Sequence, residues 1–279
     1  MRILRLVLAA AAALSLTQPV DSQEVPAGPA MTYADLADLA LTAPVAAHVR
    51  VRRADALSSR EAAGVPAGHS RFLIEADIVA LIRGAGGLPG RVSYLADLPS
   101  DSRGRPPRIR RGTEFLVLAA PVAGRPAELR LAARDAQLPF SADAAARLRD
   151  ILREASATGA PPRITGIGRA FHVPGSLPGE SETQFFLQTA GNRPISINVL
   201  RRPGEQPRWA VALGEMVDEA AETVRRDSLL WYRLACTLPP ALPAATLSEA
   251  EADEARAIRA DYRLVIEQLG PCARSRRRV

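Results

Sequence analysis

The densest charged cluster in the body of the chain is a group of arginines in a segment that Gly104, Pro106 and Pro107 keep extended. Its members are Arg103, Arg105, Arg108, Arg110 and Arg111. Guanidinium groups bind carboxylates and phosphates through paired N–H donors. The segment is therefore a candidate anion-binding loop, and a solvated loop in an arginine-rich chain is the alternative interpretation.

Paired carboxylates are the next candidates, because glycoside hydrolases use two facing acids. The groups are Glu75 with Asp77, Glu180 with Glu182, and Glu215 with Asp218 and Glu219. The first pair lies on the polar face of a predicted strand, and the second flanks a glycine-rich turn. Solvated side chains account for all three groups and are the simpler interpretation. If the fold instead brought two of these acids together, they could act in catalysis, so a carboxylate-dependent hydrolase acting on envelope polymers is the alternative function.

The histidines, His48, His69 and His172, follow no zinc-ligand spacing. Gly68-His69-Ser70 places a histidine beside a serine, but adjacent side chains of an extended segment point apart. The chain contains no Gly-x-Ser-x-Gly motif. The sequence therefore predicts no catalytic residue, metal site or cofactor, and it favours a non-enzymatic protein.

Lysine is missing from the 279 residues, so all 36 basic residues are arginine. This excludes a Schiff-base lysine, a phosphate loop of the G-x-x-x-x-G-K type and Ser-Lys catalysis. A GC-rich coding bias explains the excess of arginine over lysine. The excess by itself is not a functional signal.

The first 22 residues have the order of a secretory signal peptide. Arg2 and Arg5 precede an apolar run over residues 6–16, and Pro19 breaks it before a predicted cleavage after Ser22. The run is too short to span a bilayer. We expect the mature chain to be periplasmic or secreted, with no transmembrane span.

Cys236 and Cys272 are the two cysteines of the chain and are separated by 36 residues. An even number of cysteines in an exported chain predicts a disulfide bond, and no Cys-x-x-Cys motif suggests a metal or redox site.

The formal net charge of +6 comes mostly from the two ends of the chain. Arg2 and Arg5 leave with the signal, and four arginines lie in the basic tail, residues 273–279, which we expect to fray. The remaining body is close to neutral, which argues against nucleic acid as a partner. An envelope protein or an anionic envelope polymer is the expected partner.

Hydrophobic periodicity divides the rest into two segments, residues 23–158 and 163–272, with a boundary at Gly159-Ala160-Pro161-Pro162. In the first segment Thr32 caps a short helix, Ser141 caps a longer one, and alternating residues predict five strands between them. The strands centre on residues 47–51, 71–83, 92–96, 114–120 and 129–131. Short connections predict antiparallel pairing and a small barrel of OB type. The helix usual between the third and fourth OB strands is replaced by a loop over residues 97–112.

The second segment predicts an antiparallel meander of three or four strands, followed by two helices. One helix begins near Asp227; the other has a capping-box pattern at Ser248 and Glu251 and ends at Gly270-Pro271. The expected fold class is α+β, mainly β: a five-stranded antiparallel barrel, then an antiparallel meander with C-terminal helices.

The signal and the segments 182–189 (ETQFFLQT) and 229–236 (LLWYRLAC) resemble exported proteins of alphaproteobacteria that have no known activity. The resemblance implies export and no site residue. Together with the missing catalytic motifs, it favours a non-catalytic binding or scaffolding module of the cell envelope.

Overall fold

The computed structural model describes residues 31–58, 60–214 and 221–276. The predicted signal peptide, residues 1–22, lies outside the described residues, and so do Glu215, Asp218 and Glu219.

Alternating apolar residues form the five strands of a closed barrel. They are β1 (Val45–Ala56), β2 (His69–Arg83), β3 (Arg91–Pro99), β4 (Glu114–Val122) and β5 (Arg125–Leu131). Their order is β1-β2-β3-β5-β4, and β4 pairs again with β1 to close the ring. The predicted five-stranded barrel is confirmed, and no helix lies between β3 and β4.

One strand pairing differs from the prediction. Strands β3 and β5 run parallel, with Ser93 opposite Glu128 and Tyr94 opposite Leu129. A closed ring with an odd number of strands cannot alternate direction throughout. At least one parallel pair is therefore a geometric consequence of closing five strands.

Two helices flank the barrel as the capping signals predicted. Helix α1 (Tyr33–Thr42) begins after Thr32, which forms a capping box with Asp35. Helix α2 (Ala142–Ser156) begins after Ser141, whose hydroxyl accepts a hydrogen bond from the Ala144 amide. A short strand, β6 (Gln137–Pro139), precedes α2 and pairs with β4.

The second sheet is antiparallel, in the order β11-β10-β9-β8-β7. Its strands are β7 (Ile164–Pro174), β8 (Ser181–Thr189), β9 (Ile195–Arg201), β10 (Arg208–Ala212) and β11 (Ala221–Glu222). Helix α3 (Leu229–Ala235), a 3-10 helix (Ala244–Leu247) and helix α4 (Ala252–Leu269) follow.

The predicted capping box of the last helix is wrong. Ser248 ends the 3-10 helix in a helical conformation, and its amide donates to the Ala245 carbonyl. Helix α4 instead begins after Glu251, without a side-chain cap. The unforeseen 3-10 turn occupies the residue that the pattern assigned to the cap.

Apolar side chains are buried in two clusters, which meet at β4. One cluster fills the barrel and includes Ile74 and Val117. In the other, helices α1 to α4 and the second sheet pack against the outer faces of β1 and β4, and β4 contributes Leu116 and Leu118. Strand β4 is thus buried on both faces, as its continuous apolar run predicted. The second cluster draws residues from both predicted segments, and residues from Met31 onward form one compact unit.

The predicted disulfide is confirmed between Cys236, directly after α3, and Cys272, shortly after α4. None of the helices in the described ranges combines the length and apolar character that a membrane crossing requires.

Candidate functional site

A cleft of about 1390 Å³ lies where α1, the segment after β5, the start of β7 and α3 meet. Pro66 and His69 on one side and the C-terminal residues Arg274 and Arg276 on the other complete its wall. The cleft is larger than the roughly 300–1,000 Å³ of typical small-molecule pockets. Its walls come from both segments that the sequence predicted.

Three arginines give the cleft an excess of positive charge. Arg134 follows β5, Arg163 precedes β7 and Arg233 lies on α3. No carboxylate of the described residues lies within ion-pair distance of these three guanidinium groups. Their positive charges are therefore available to a ligand.

Arg233 is the most constrained of the three. Its side chain is half-buried, and its Nε atom is shielded from solvent without a hydrogen-bond partner in the described part of the chain. Burial lowers the pKa of Arg233, and the positive charge of Arg163 lowers it further. Arginine nevertheless stays protonated in proteins. The cleft thus holds a cation that is both poorly solvated and close to a like charge.

The basic tail forms one wall of the cleft. Arg274 Nε donates to Asp38 Oδ2 at 2.7 Å, and Arg276 binds Asp135 through Nε and Nη2, each at 2.5 Å. Between them, the Ser275 amide and hydroxyl donate to Asp35 Oδ2 at 2.9 and 2.6 Å. The prediction of a frayed tail is wrong for residues 273–276, because three carboxylates on α1 and after β5 bind it.

Asp35 is the fully buried anchor of this tail, with no exposed surface. Burial acts to raise its pKa, but hydrogen bonds from Ser275, Thr32 and Arg276 outweigh burial and lower the pKa to about 2. The carboxylate is therefore ionised over the physiological pH range.

Asp38 links the tail to α3. The Tyr232 hydroxyl donates to Asp38 Oδ1 at 2.6 Å. Burial and this hydrogen bond to the Asp38 carboxylate raise the pKa of Tyr232 to about 12. The hydroxyl therefore stays protonated and acts as a donor to Asp38.

These groups are suited to binding an anion. Guanidinium groups in a concave, partly dry site bind carboxylate or phosphate oxygens more strongly than the same groups in open solvent. His69, at the edge of the cleft, donates from Nδ1 to the Ala67 carbonyl at 3.1 Å. No group of three or more potential metal ligands occurs in the described ranges.

The predicted arginine loop lies elsewhere. All five of its arginines are exposed, and none lines the cleft. Arg105 is paired with Asp101 through Nε and Oδ2 at 2.7 Å, and the amides of Arg103 and Arg105 cap the same carboxylate. Anion binding by this loop stays a prediction.

The two carboxylate pairs that lie within the described residues belong to different sheets. Glu75 and Asp77 lie on β2 of the barrel, where Asp77 is bound by Arg52 and Arg91. Glu180 and Glu182 belong to the second sheet and its β7–β8 turn, where Glu180 accepts a hydrogen bond from the Leu177 amide. None of these four carboxylates lines the cleft.

Two of the histidines belong to networks that sequence reasoning missed. In the barrel, His48 Nε2 donates to Glu114 at 2.8 Å, and the imidazole stacks on Phe140 with ring centroids 3.7 Å apart.

In the second sheet, His172 Nδ1 lies 2.8 Å from the Thr183 hydroxyl, which donates to the buried Asp261. Arg201 also binds Asp261. Thr183 has no exposed surface, so this chain of polar groups is structural. A signal for it existed: Asp261 interrupts the apolar stripe of Ile258, Tyr262 and Val265 on α4.

No protein-family model matches the chain, and no curated protein sequence matches it significantly.

Proposed function

We propose that this chain is an exported, non-catalytic binding protein of the cell envelope that holds an anionic group in the cleft of Arg134, Arg163 and Arg233. The secretory pattern of residues 1–22 and the Cys236–Cys272 disulfide support an extracytoplasmic setting.

The observation that carries the proposal is the buried Nε atom of Arg233, which has no hydrogen-bond partner among the described residues. Burying a polar atom without a partner costs roughly 1–3 kcal/mol, and more for a charged group. Arg163 adds repulsion between like charges. A bound anion removes both costs at once, because its oxygens accept the free N–H groups and its charge compensates the cluster. Without a ligand, the same arginines lower the stability of the folded chain, as is common for the residues of binding sites.

The ligand chemistry is that of a carboxylate or phosphate group. Both are planar or tetrahedral anions whose oxygens match the N–H pairs of a guanidinium. In the envelope, such groups occur on acidic polymers, lipid headgroups and proteins. The volume of the cleft, about 1390 Å³, exceeds that of one anion and leaves room for a larger molecule that carries the anionic group.

The four candidate carboxylates among the described residues give the hydrolase alternative no support, because Glu75 and Asp77 lie on the barrel whereas Glu180 and Glu182 lie around the start of β8 in the second sheet. Binding without turnover needs only the arginines that the cleft already presents.

Isothermal titration calorimetry with inorganic phosphate and with citrate tests the proposal on the disulfide-bonded chain. We expect binding of at least one of these anions, and at least a roughly ten-fold weaker affinity for Arg233→Gln, the factor expected for one hydrogen bond to a charged group. Arg149→Gln is the matched control, since Arg149 is an exposed arginine of α2 outside the cleft.

Two results would overturn the proposal. One is no heat of binding for either anion at millimolar concentration and low salt. The other is an equal loss of affinity for Arg233→Gln and Arg149→Gln, because this would show attraction by net charge rather than a built site.

A further inference from the structure

We infer that the Cys236–Cys272 disulfide is a reaction site for a dithiol reductant, and that its opening frees the basic tail and weakens the cleft for anions. The effect on anion affinity rests on the proposed function; the reaction and the release of the tail do not.

The two sulfur atoms lie in different surroundings. Cys236 is one of the residues that line the cleft, which is the open space by which an attacking thiolate would approach it, whereas Cys272 is not among them. Cys272 lies on the tail side, and its Sγ atom is 3.0 Å from Arg274 Nη1, which donates to it. Both cysteines are half-buried rather than sealed in the core.

This asymmetry predicts the direction of attack. The reductant thiolate forms a bond to Cys236 Sγ, the Cys236–Cys272 bond breaks, and Cys272 leaves as a thiolate. The positive charge of Arg274 stabilises this leaving group, and a better leaving group accelerates exchange.

The second thiol of the reductant, as a thiolate, then attacks the mixed disulfide and releases Cys236. The reductant ends as a disulfide, having given two electrons and two protons to the two cysteines.

Opening the bridge loosens the tail because its other contacts are reversible. Residues 273–276 make non-covalent contacts: ion pairs to Asp38 and Asp135, in which both arginines are less than one-fifth exposed, and hydrogen bonds to Asp35. The tail also supplies Arg274 and Arg276 to the cleft wall. Its release removes two of the five arginines lining the cleft.

The attacked sulfur can be mapped on the full disulfide-bonded chain. The probe is a thioredoxin-type dithiol protein whose resolving cysteine is replaced by serine, so that the mixed disulfide accumulates. Peptide mass spectrometry is expected to locate the probe on Cys236. A probe found mainly on Cys272, or no mixed disulfide under conditions that reduce a small-molecule disulfide, would overturn the inference.

Tail release is measured on the same chain with limited trypsin digestion before and after reduction. Cleavage after Arg274 and Arg276 is expected to become about ten-fold faster on reduction, while near-ultraviolet circular dichroism of the body stays unchanged. Equal cleavage rates in the two redox states would contradict the release.

Anion affinity is the final readout, with the citrate and phosphate titrations repeated on the reduced chain. We expect at least a roughly three-fold loss of affinity. The double variant Cys236→Ser/Cys272→Ser should show the same loss; if it fails to fold, the reduced wild-type chain still decides the question.

Failure of the proposed function remains distinguishable. If the oxidised chain binds neither anion, that function fails, while mapping and digestion still test the reaction and the release. If the oxidised chain binds and reduction leaves affinity unchanged, the link between redox state and the cleft is wrong.

Discussion

The arginine loop over residues 100–113 and the arginines of the cleft illustrate two ways of concentrating charge. The loop has five arginines close together in sequence, all exposed on one surface segment. The arginines of the cleft, Arg134, Arg163 and Arg233, come from distant positions in the sequence, and the Nε atom of Arg233 is shielded from solvent. Arg134 and Arg163 are exposed like the loop arginines, but the half-buried Arg233 has already lost part of the hydration and side-chain entropy that an exposed arginine must lose to bind. Density in space therefore indicates a site better than density in sequence.

The largest effect in this comparison should come from the disulfide, which ties the cleft wall together. Replacing both cysteines by serine removes the covalent link between two positions that are 36 residues apart in sequence, so the unfolded chain is no longer constrained by it. The chain-entropy model predicts a loss of about 3–4 kcal/mol in the free energy of unfolding. Urea unfolding followed by circular dichroism measures it. A loss below about 1 kcal/mol would mean that the bridge does not constrain the unfolded chain in this way.

A second prediction concerns the pH dependence of stability and Asp35, the buried carboxylate that anchors the tail. The pKa of Asp35 is about 2 in the folded chain against an ordinary value of 3.8. Because the folded value is the lower one, its contribution to stability is complete above about pH 4 and is lost as the pH falls toward 2. Asp35→Asn should lower the free energy of unfolding at pH 7 by roughly 2 kcal/mol and flatten its dependence on pH in that window.

The matched control for Asp35 lies in the loop. Asp101 also has a lowered pKa, caused first by the Arg105 amide, but its surroundings are exposed. We expect Asp101→Asn to have little effect at pH 7. An equal effect of the two substitutions would remove the contrast between the cleft and the loop.

The barrel was predictable because its signals are local. The alternation of Phe72, Ile74 and Ala76 on one side of β2 identifies a strand facing a core, and the turns around it identify the topology. The parallel pairing of β3 and β5 was missed, although it follows from the odd number of strands once the barrel closes.

The cleft was not predictable, because its signals are not local. Arg163 precedes a strand, and Arg233 lies within a largely apolar helix segment; neither context differs from that of an ordinary surface residue. The carboxylates that bind the tail are likewise far from it in sequence: Asp35, Asp38 and Asp135. Only the packing of α1 and α3 around the disulfide brings these groups together.

A third prediction separates binding from stability within the cleft. Arg233→Met keeps an unbranched apolar side chain that reaches about as far as Nε, and it removes the unpartnered Nε–H and the rest of the guanidinium group. We expect the free energy of unfolding without ligand to stay equal or to rise by about 1 kcal/mol, while binding of citrate and phosphate is lost. Thermal unfolding and calorimetry measure the two effects. A stability loss above about 1 kcal/mol would indicate that Arg233 is a packing residue rather than a binding residue.

The smallest effect is expected for the loop. Replacing Arg103, Arg105, Arg108, Arg110 and Arg111 together by glutamine removes the densest charge in the body of the chain from a segment with exposed side chains. Surface substitutions of this kind change stability by about 0.5 kcal/mol or less each. Screening at physiological salt, where the Debye length is about 8 Å, leaves the cleft little affected by charge on a separate surface segment. Affinity for citrate and phosphate should therefore stay within about two-fold of wild type at that salt concentration. A larger loss than for Arg233→Gln would identify the loop as the binding site and reverse the comparison, because density in sequence would then have been the better guide.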